Sequence, residues 1–179
     1  MNNIGVTARA ITILLAGFML TGCFLFATDA NAPIEATPAI IEIELPELPD
    51  NPSPDTALAA IYTHFEGHIS DRMSFALLME IIGIDEIPAD RLYARHSNAR
   101  GGLTDVIIIR PHSMSMGEVR EILYRYRDRR VEEFENFDIL GSLNIARSAV
   151  IFEHGEYLVL LMTADNDEAQ IIINRHMPL

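Results

Sequence analysis

The chain has 179 residues, 49% of them apolar, which suffices for one compact domain with a core plus an N-terminal appendage. Its formal net charge is −13 and its 13 basic side chains are all arginine. A phosphate backbone recruits basic side chains rather than carboxylates, which argues against nucleic acid as a partner. A single cysteine, Cys23, excludes a disulfide framework and a multi-cysteine metal centre.

At the N-terminus, Arg9 precedes an uncharged run from Ala10 to about Thr28, and Asp29 is the next charge. Positive charge stays on the cytoplasmic side, so the rest of the chain is expected to face outward. Three devices share that orientation. A spanning helix needs roughly 20 predominantly apolar residues, and here Thr12, Gly17, Thr21 and Gly22 interrupt the run. A secretory peptide needs a small-x-small cut; Ala30-Asn31-Ala32 supplies one, with Pro33 unfavourably placed behind it. The third device is lipoprotein processing, and Leu20-Thr21-Gly22-Cys23 has the apolar residue, two small residues and cysteine of a bacterial lipobox. On that reading residues 1–22 are a signal peptide and Cys23 is the lipid-attachment residue. Multiple acyl chains there would anchor stably, since each buried methylene contributes about 0.8 kcal/mol. Phe24, Leu25 and Phe26 are less polar than the residues usual after such a cysteine, so a retained membrane helix stays open as the alternative.

Residues 23–54 read as an acidic, Pro-rich tether. Between Asp29 and Pro54 stand six prolines, from Pro33 to Pro54, with Glu35, Glu42, Glu44, Glu47 and Asp50 and no basic residue. Proline stiffens a chain and like charges extend it. Within it, Ile41-Glu42-Ile43-Glu44-Leu45 alternates with strand period, the pattern of a docked edge strand.

Residues 55–179 are expected to form a single α+β domain. Leu58, Ile61, Tyr62 and Phe65 predict a helix over 56–66, and Phe75, Leu78, Met79 and Ile82 a second one stopped at Gly83. The polar stretch 84–102 reads as part helix, part loop. The β-branched run 105–110 predicts a strand buried on both faces and ended by Pro111. Ser115 and Glu118 have the spacing of a capping box at the head of a long helix with Val119, Ile122, Leu123, Tyr126 and Phe134 inward. Its many arginines are answered by carboxylates, with Glu121–Arg125 and Arg129–Glu133 at i,i+4, which predicts a solvated, self-paired face rather than an anion-binding surface. Two strands, 146–153 and 156–163, flank a turn at His154-Gly155, and Asp165 with Glu168 opens a last helix. The expected architecture is a small mixed sheet (strand, helix, strand, strand, helix) with helices packed on it and N-terminal helices before it.

In order along the chain, the lipobox, Gly83-Ile84-Asp85, Thr104-Asp105-Val106-Ile107-Ile108-Ile109, an Arg-containing helix ending near Phe134, Ala149-Val150, Gly155-Glu156-Tyr157 and the Asp165-headed helix resemble the small Gram-positive lipoproteins grouped as domain of unknown function 4358. The resemblance spans roughly residues 74–175 and is one of pattern. It implies a location and a fold type, and no established activity.

Catalytic signatures are sparse. His64 and His68 stand at a metal-ligand spacing on one helix face, but Gly67 weakens that helix and Phe65 stands where a His-Glu-x-x-His protease has its glutamate. No Gly-x-Ser-x-Gly turn surrounds Ser97, Ser113 or Ser115. The sequence therefore leads to an envelope binding module without a cofactor. Its expected partners are the membrane, through the Cys23 lipid, and an envelope protein, a wall polymer or a small solute. An envelope hydrolase using His64 and His68 with a metal is the alternative.

Overall fold

The computed structural model describes residues 50–65, 70–97 and 102–179, and every element below lies within them. The expected signal peptide, Cys23, the tether before Asp50, its alternating segment 41–45, and His68 lie outside the described residues.

Helix α1 (Pro54–His64) begins at a reciprocal cap: the Ser53 side chain accepts from the Thr56 backbone and the Thr56 side chain from the Ser53 backbone. Pro54 occupies the first turn, where its missing N–H costs nothing. After the short strand β1 (Ser70–Arg72), helix α2 (Phe75–Ile82) starts at the Ser74 cap and stops at Gly83, whose φ of +68° is the left-handed conformation of a helix C-terminus.

The next segment departs from expectation. Residues expected to be part helix and part loop form β2 (Ala89–Ser97), a nine-residue strand. Its polar side chains carry no clear period; what makes it a strand is pairing, since it lies antiparallel between β1 and β3 (Asp105–Pro111). Strand β3 is the centre of the fold. Residues 105–109 are fully buried on both faces, as the unbroken apolar run predicts.

Helix α3 (Met116–Glu135) follows, but Ser115 makes no side-chain cap, so the expected capping box is not formed. A second correction concerns residues 142–147: they form helix α4 (Ser142–Arg147), so Ala146 belongs to a helix and strand β4 is Val150–His154. Strand β5 (Tyr157–Met162) returns through the turn at Gly155-Glu156, and helix α5 (Asn166–His176) is capped by the Asp165 side chain, which accepts from the Glu168 backbone at 3.0 Å. Gly155 supplies the positive φ, +59°, that this tight turn requires.

The class is α+β. The five strands lie in the order β1-β2-β3-β5-β4 and every neighbouring pair is antiparallel, so the sheet is not of the mixed kind expected from sequence. Strands β3 and β4 point the same way, with β5 inserted between them, and joining two strands in the same direction needs a long crossover. Helices α3 and α4 are that crossover, packed with α2 on one face over Ile107, Ile109, Leu158 and Leu160. Helices α1 and α5 cover the other face over Val106, Ile108, Val159 and Leu161.

Because β3 is covered on both sides, Ile107→Ala and Ile108→Ala should each cost about 2–5 kcal/mol in urea unfolding, although the two side chains face opposite cores. A loss from only one of them would mean that one face of the sheet is open.

Candidate functional site

Polar chemistry in the interior gathers around Asp105, the first residue of β3. Its side chain has no exposure to solvent. Oδ1 accepts from the Ser97 backbone at 2.7 Å and from the Ser97 hydroxyl at 2.9 Å, while Oδ2 accepts from the Tyr126 hydroxyl at 2.7 Å. Arg130 Nε lies 2.9 Å from Oδ2, a close ion pair whose N–H is not aimed along the contact. The same guanidinium donates to the Ser97 carbonyl at 2.9 Å and pairs with Glu133. On the far side of the sheet, Tyr62 of α1 donates to the Thr104 carbonyl at 2.6 Å and lies under the Arg95 guanidinium, 4.7 Å from its ring centroid.

Electrostatics follow from this burial. Desolvation, reinforced by the Asp105 charge, pushes the Tyr62 and Tyr126 hydroxyls well above the ordinary tyrosine range. For Arg130 desolvation alone would favour the neutral form, but Asp105, Tyr126 and Glu133 outweigh it and the net shift is upward. Both phenols are thus held in their neutral form beside the Asp105–Arg130 pair. Asp105, Tyr126 and Arg130 are all buried. Their arrangement ties the end of β2 and the start of β3 to α3.

Arg130 also corrects the expected solvated face of α3. It follows Tyr126 by one helical turn and points into the core. The expected i,i+4 pairs are replaced: Arg129 meets Glu132 at 2.9 Å, Arg127 meets Asp128 at 2.7 Å, and Arg120 reaches across to Glu153 on β4. An inward arginine was detectable from its place on the apolar stripe, one turn after Tyr126 and one before Phe134.

Other candidates are distributed over the surface. His64 is exposed and edge-on to Phe65, and its expected partner His68 is outside the described residues. Among the described residues no three His, Cys, Asp or Glu side chains form a metal-binding group, and no helix is long and apolar enough to cross a membrane. A hollow of about 590 Å³ contains Arg110, His112 and Met114. Arg110 is not available there for an anion, because Asp90 holds it with two bonds of 2.9 and 2.6 Å and Glu156 sits 3.3 Å away. These bonds raise Arg110 further above its ordinary range and draw the Asp90 carboxyl down. The clamp ties β2, β3 and the β4–β5 turn together at one end of the sheet.

No family model, no curated protein and no solved structure matches the chain.

Two outcomes test the interior cluster. Arg130→Met should cost about 3–5 kcal/mol by leaving Asp105 buried and uncompensated, and adding Asp105→Leu should recover part of that loss, measured by urea unfolding of the single and double variants. Tyrosines whose folded pKa is raised contribute stability that is full below pH 10 and declines as pH rises above it, because the unfolded chain releases its phenolic protons first. Stability measured from pH 9 to 11 should therefore fall, and fall less steeply in Tyr126→Phe once its lower starting stability is subtracted.

Proposed function

We propose that this protein is a lipid-anchored binding module of the cell envelope, facing away from the cytoplasm and fastened through Cys23. The observation that carries this reading is Leu20-Thr21-Gly22-Cys23, a lipobox built on the only cysteine and placed at the end of an uncharged run that begins after Arg9. The patterned resemblance to the domain of unknown function 4358 lipoproteins supports the same location. A tether of prolines and carboxylates after Cys23 suits a domain held clear of a bilayer, since it is stiff and repelled by anionic headgroups.

The folded part favours recognition over catalysis. Its buried ion pair is closed off by its own partners, and Arg110 is neutralised by two carboxylates. What the surface offers is hollows, lined by fixed elements, of a size that holds one or two side chains or a small solute. An envelope protein, a wall polymer or a small solute is the partner class.

Mass spectrometry of the full chain from a Gram-positive expression host tests the anchor. The expected mature N-terminus is a diacylated Cys23 in the membrane fraction, and Cys23→Ser should leave an unacylated, uncut precursor. An intact Met1 in the unaltered chain, or a mature start at Pro33, would overturn it.

A further inference from the structure

Among the described residues strand β4 ends the sheet. The two-residue turn Gly155-Glu156 lies between His154 and Tyr157, and a turn of that length is closed by a hydrogen-bonded pair. Bonded pairs then recur at every second position. His154, Phe152 and Val150 thus spend their N–H and C=O groups on β5, while those of Ile151 and Glu153 point away from the sheet, with no backbone partner among the described residues. The opposite edge, β1, is only three residues long.

The side chains of Val150, Phe152 and His154 share the face covered by α1 and α5, and a hollow lies at each end of that row. The one at the Val150 end measures about 320 Å³ and is walled by Thr163, Asp165 and Asp167, whose carboxylates are both exposed. The one at the His154 end measures about 340 Å³ and is largely apolar, with Pro54, Tyr157 and Met177 in its wall. Val150 and His154 are four residues apart, roughly 13 Å along a strand. A second strand laid on this edge would present every other side chain to the same face, so its first and fifth residues would meet the two hollows and its third would cover Phe152.

We propose that β4 is a recognition edge for an extended polypeptide that adds antiparallel to it, takes the outward groups of Ile151 and Glu153, and seats an apolar side chain beside Tyr157 and a basic one, four residues later, beside Asp165 and Asp167. Main-chain pairing supplies the affinity and the two end hollows supply the selectivity, which is the division of labour in β-strand addition. The antiparallel sense matches every other pairing in the sheet. Charge favours a basic segment over a second copy of this chain, which carries the same acidic excess. The proposal names the partner class of the binding module proposed above and rests on that reading.

The test uses the full-length chain in neutral detergent and a labelled, end-capped heptapeptide Thr-Leu-Thr-Val-Thr-Arg-Thr, followed by fluorescence anisotropy. Saturable binding is expected. N-methylation of the two threonines flanking the valine should abolish it, because those amides face β4, while N-methylation of the valine, whose amide faces away, should leave it nearly unchanged. Glu153→Pro removes one outward donor without touching the ladder to β5 and should weaken binding about tenfold. Asp167→Asn should reduce the preference for arginine over glutamine at the sixth position of the peptide. No saturable binding up to millimolar peptide, equal effects of the two N-methylation patterns, or a chain that self-associates through β4 instead would each overturn the proposal. A mature N-terminus lacking the lipid would remove the membrane location and leave this titration unaffected, so the two readings fail separately.

Discussion

A carboxylate shut away from water must have its charge answered on the spot, and Asp105 meets that requirement with groups drawn from three elements. Ser97 comes from the end of β2, Tyr126 and Arg130 come from successive turns of α3, and the carboxylate itself opens β3. Shifting β2 against β3, or sliding α3 by a turn along the sheet, would leave a buried charge with empty lone pairs, which costs several kcal/mol. The hydrophobic surfaces on the two faces of the sheet would tolerate many such shifts, because burial is non-directional. One ion pair with its phenol thus selects a single arrangement of strand, strand and crossover helix, and the two apolar cores fill in around it.

How much of this was legible in the sequence depended on whether an element is defined by its own side chains or by its neighbours. The helices α1, α2 and α5 carry their caps and stripes locally, and β3 announces itself by an unbroken β-branched run. Strand β2 does not: Asp90, Arg91, Arg95 and His96 put polar side chains on both of its faces and leave no apolar alternation, and it is held extended by partners on both sides. Helix α4 has only six residues and no side-chain cap, so its residues read equally well as the start of the next strand. The sense of the sheet was beyond reach from sequence because β5 inserts between β3 and β4, a pairing of segments far apart in the chain in which periodicity has no part.

The polar features divide along the same line. Arg130 was hidden among the arginines of α3 although its position on the apolar stripe marked it as inward, while the Arg110 clamp links residues from three separate stretches, Asp90, Arg110 and Glu156. Composition, by contrast, spoke clearly. A chain with 26 carboxylates and 13 arginines has every incentive to pair its basic groups internally, and Arg110, Arg120, Arg127, Arg129, Arg130 and Arg147 all do so. The surface is left with carboxylates in excess.

The insertion of β5 between β3 and β4 has a consequence for how the chain matures. During synthesis β3 is complete by Pro111, yet the strand that covers its second edge reaches only to Met162, and the helix that closes its second face ends at His176. Until β5 is made this central strand has a bare edge, the condition under which strands join the wrong neighbour. Closing a loop of that length is slow compared with forming α3 or the β4–β5 hairpin. The acidic residues that crowd the surface thus have a second use before the fold exists: they keep unfinished chains apart while the centre of the sheet waits for its last strand.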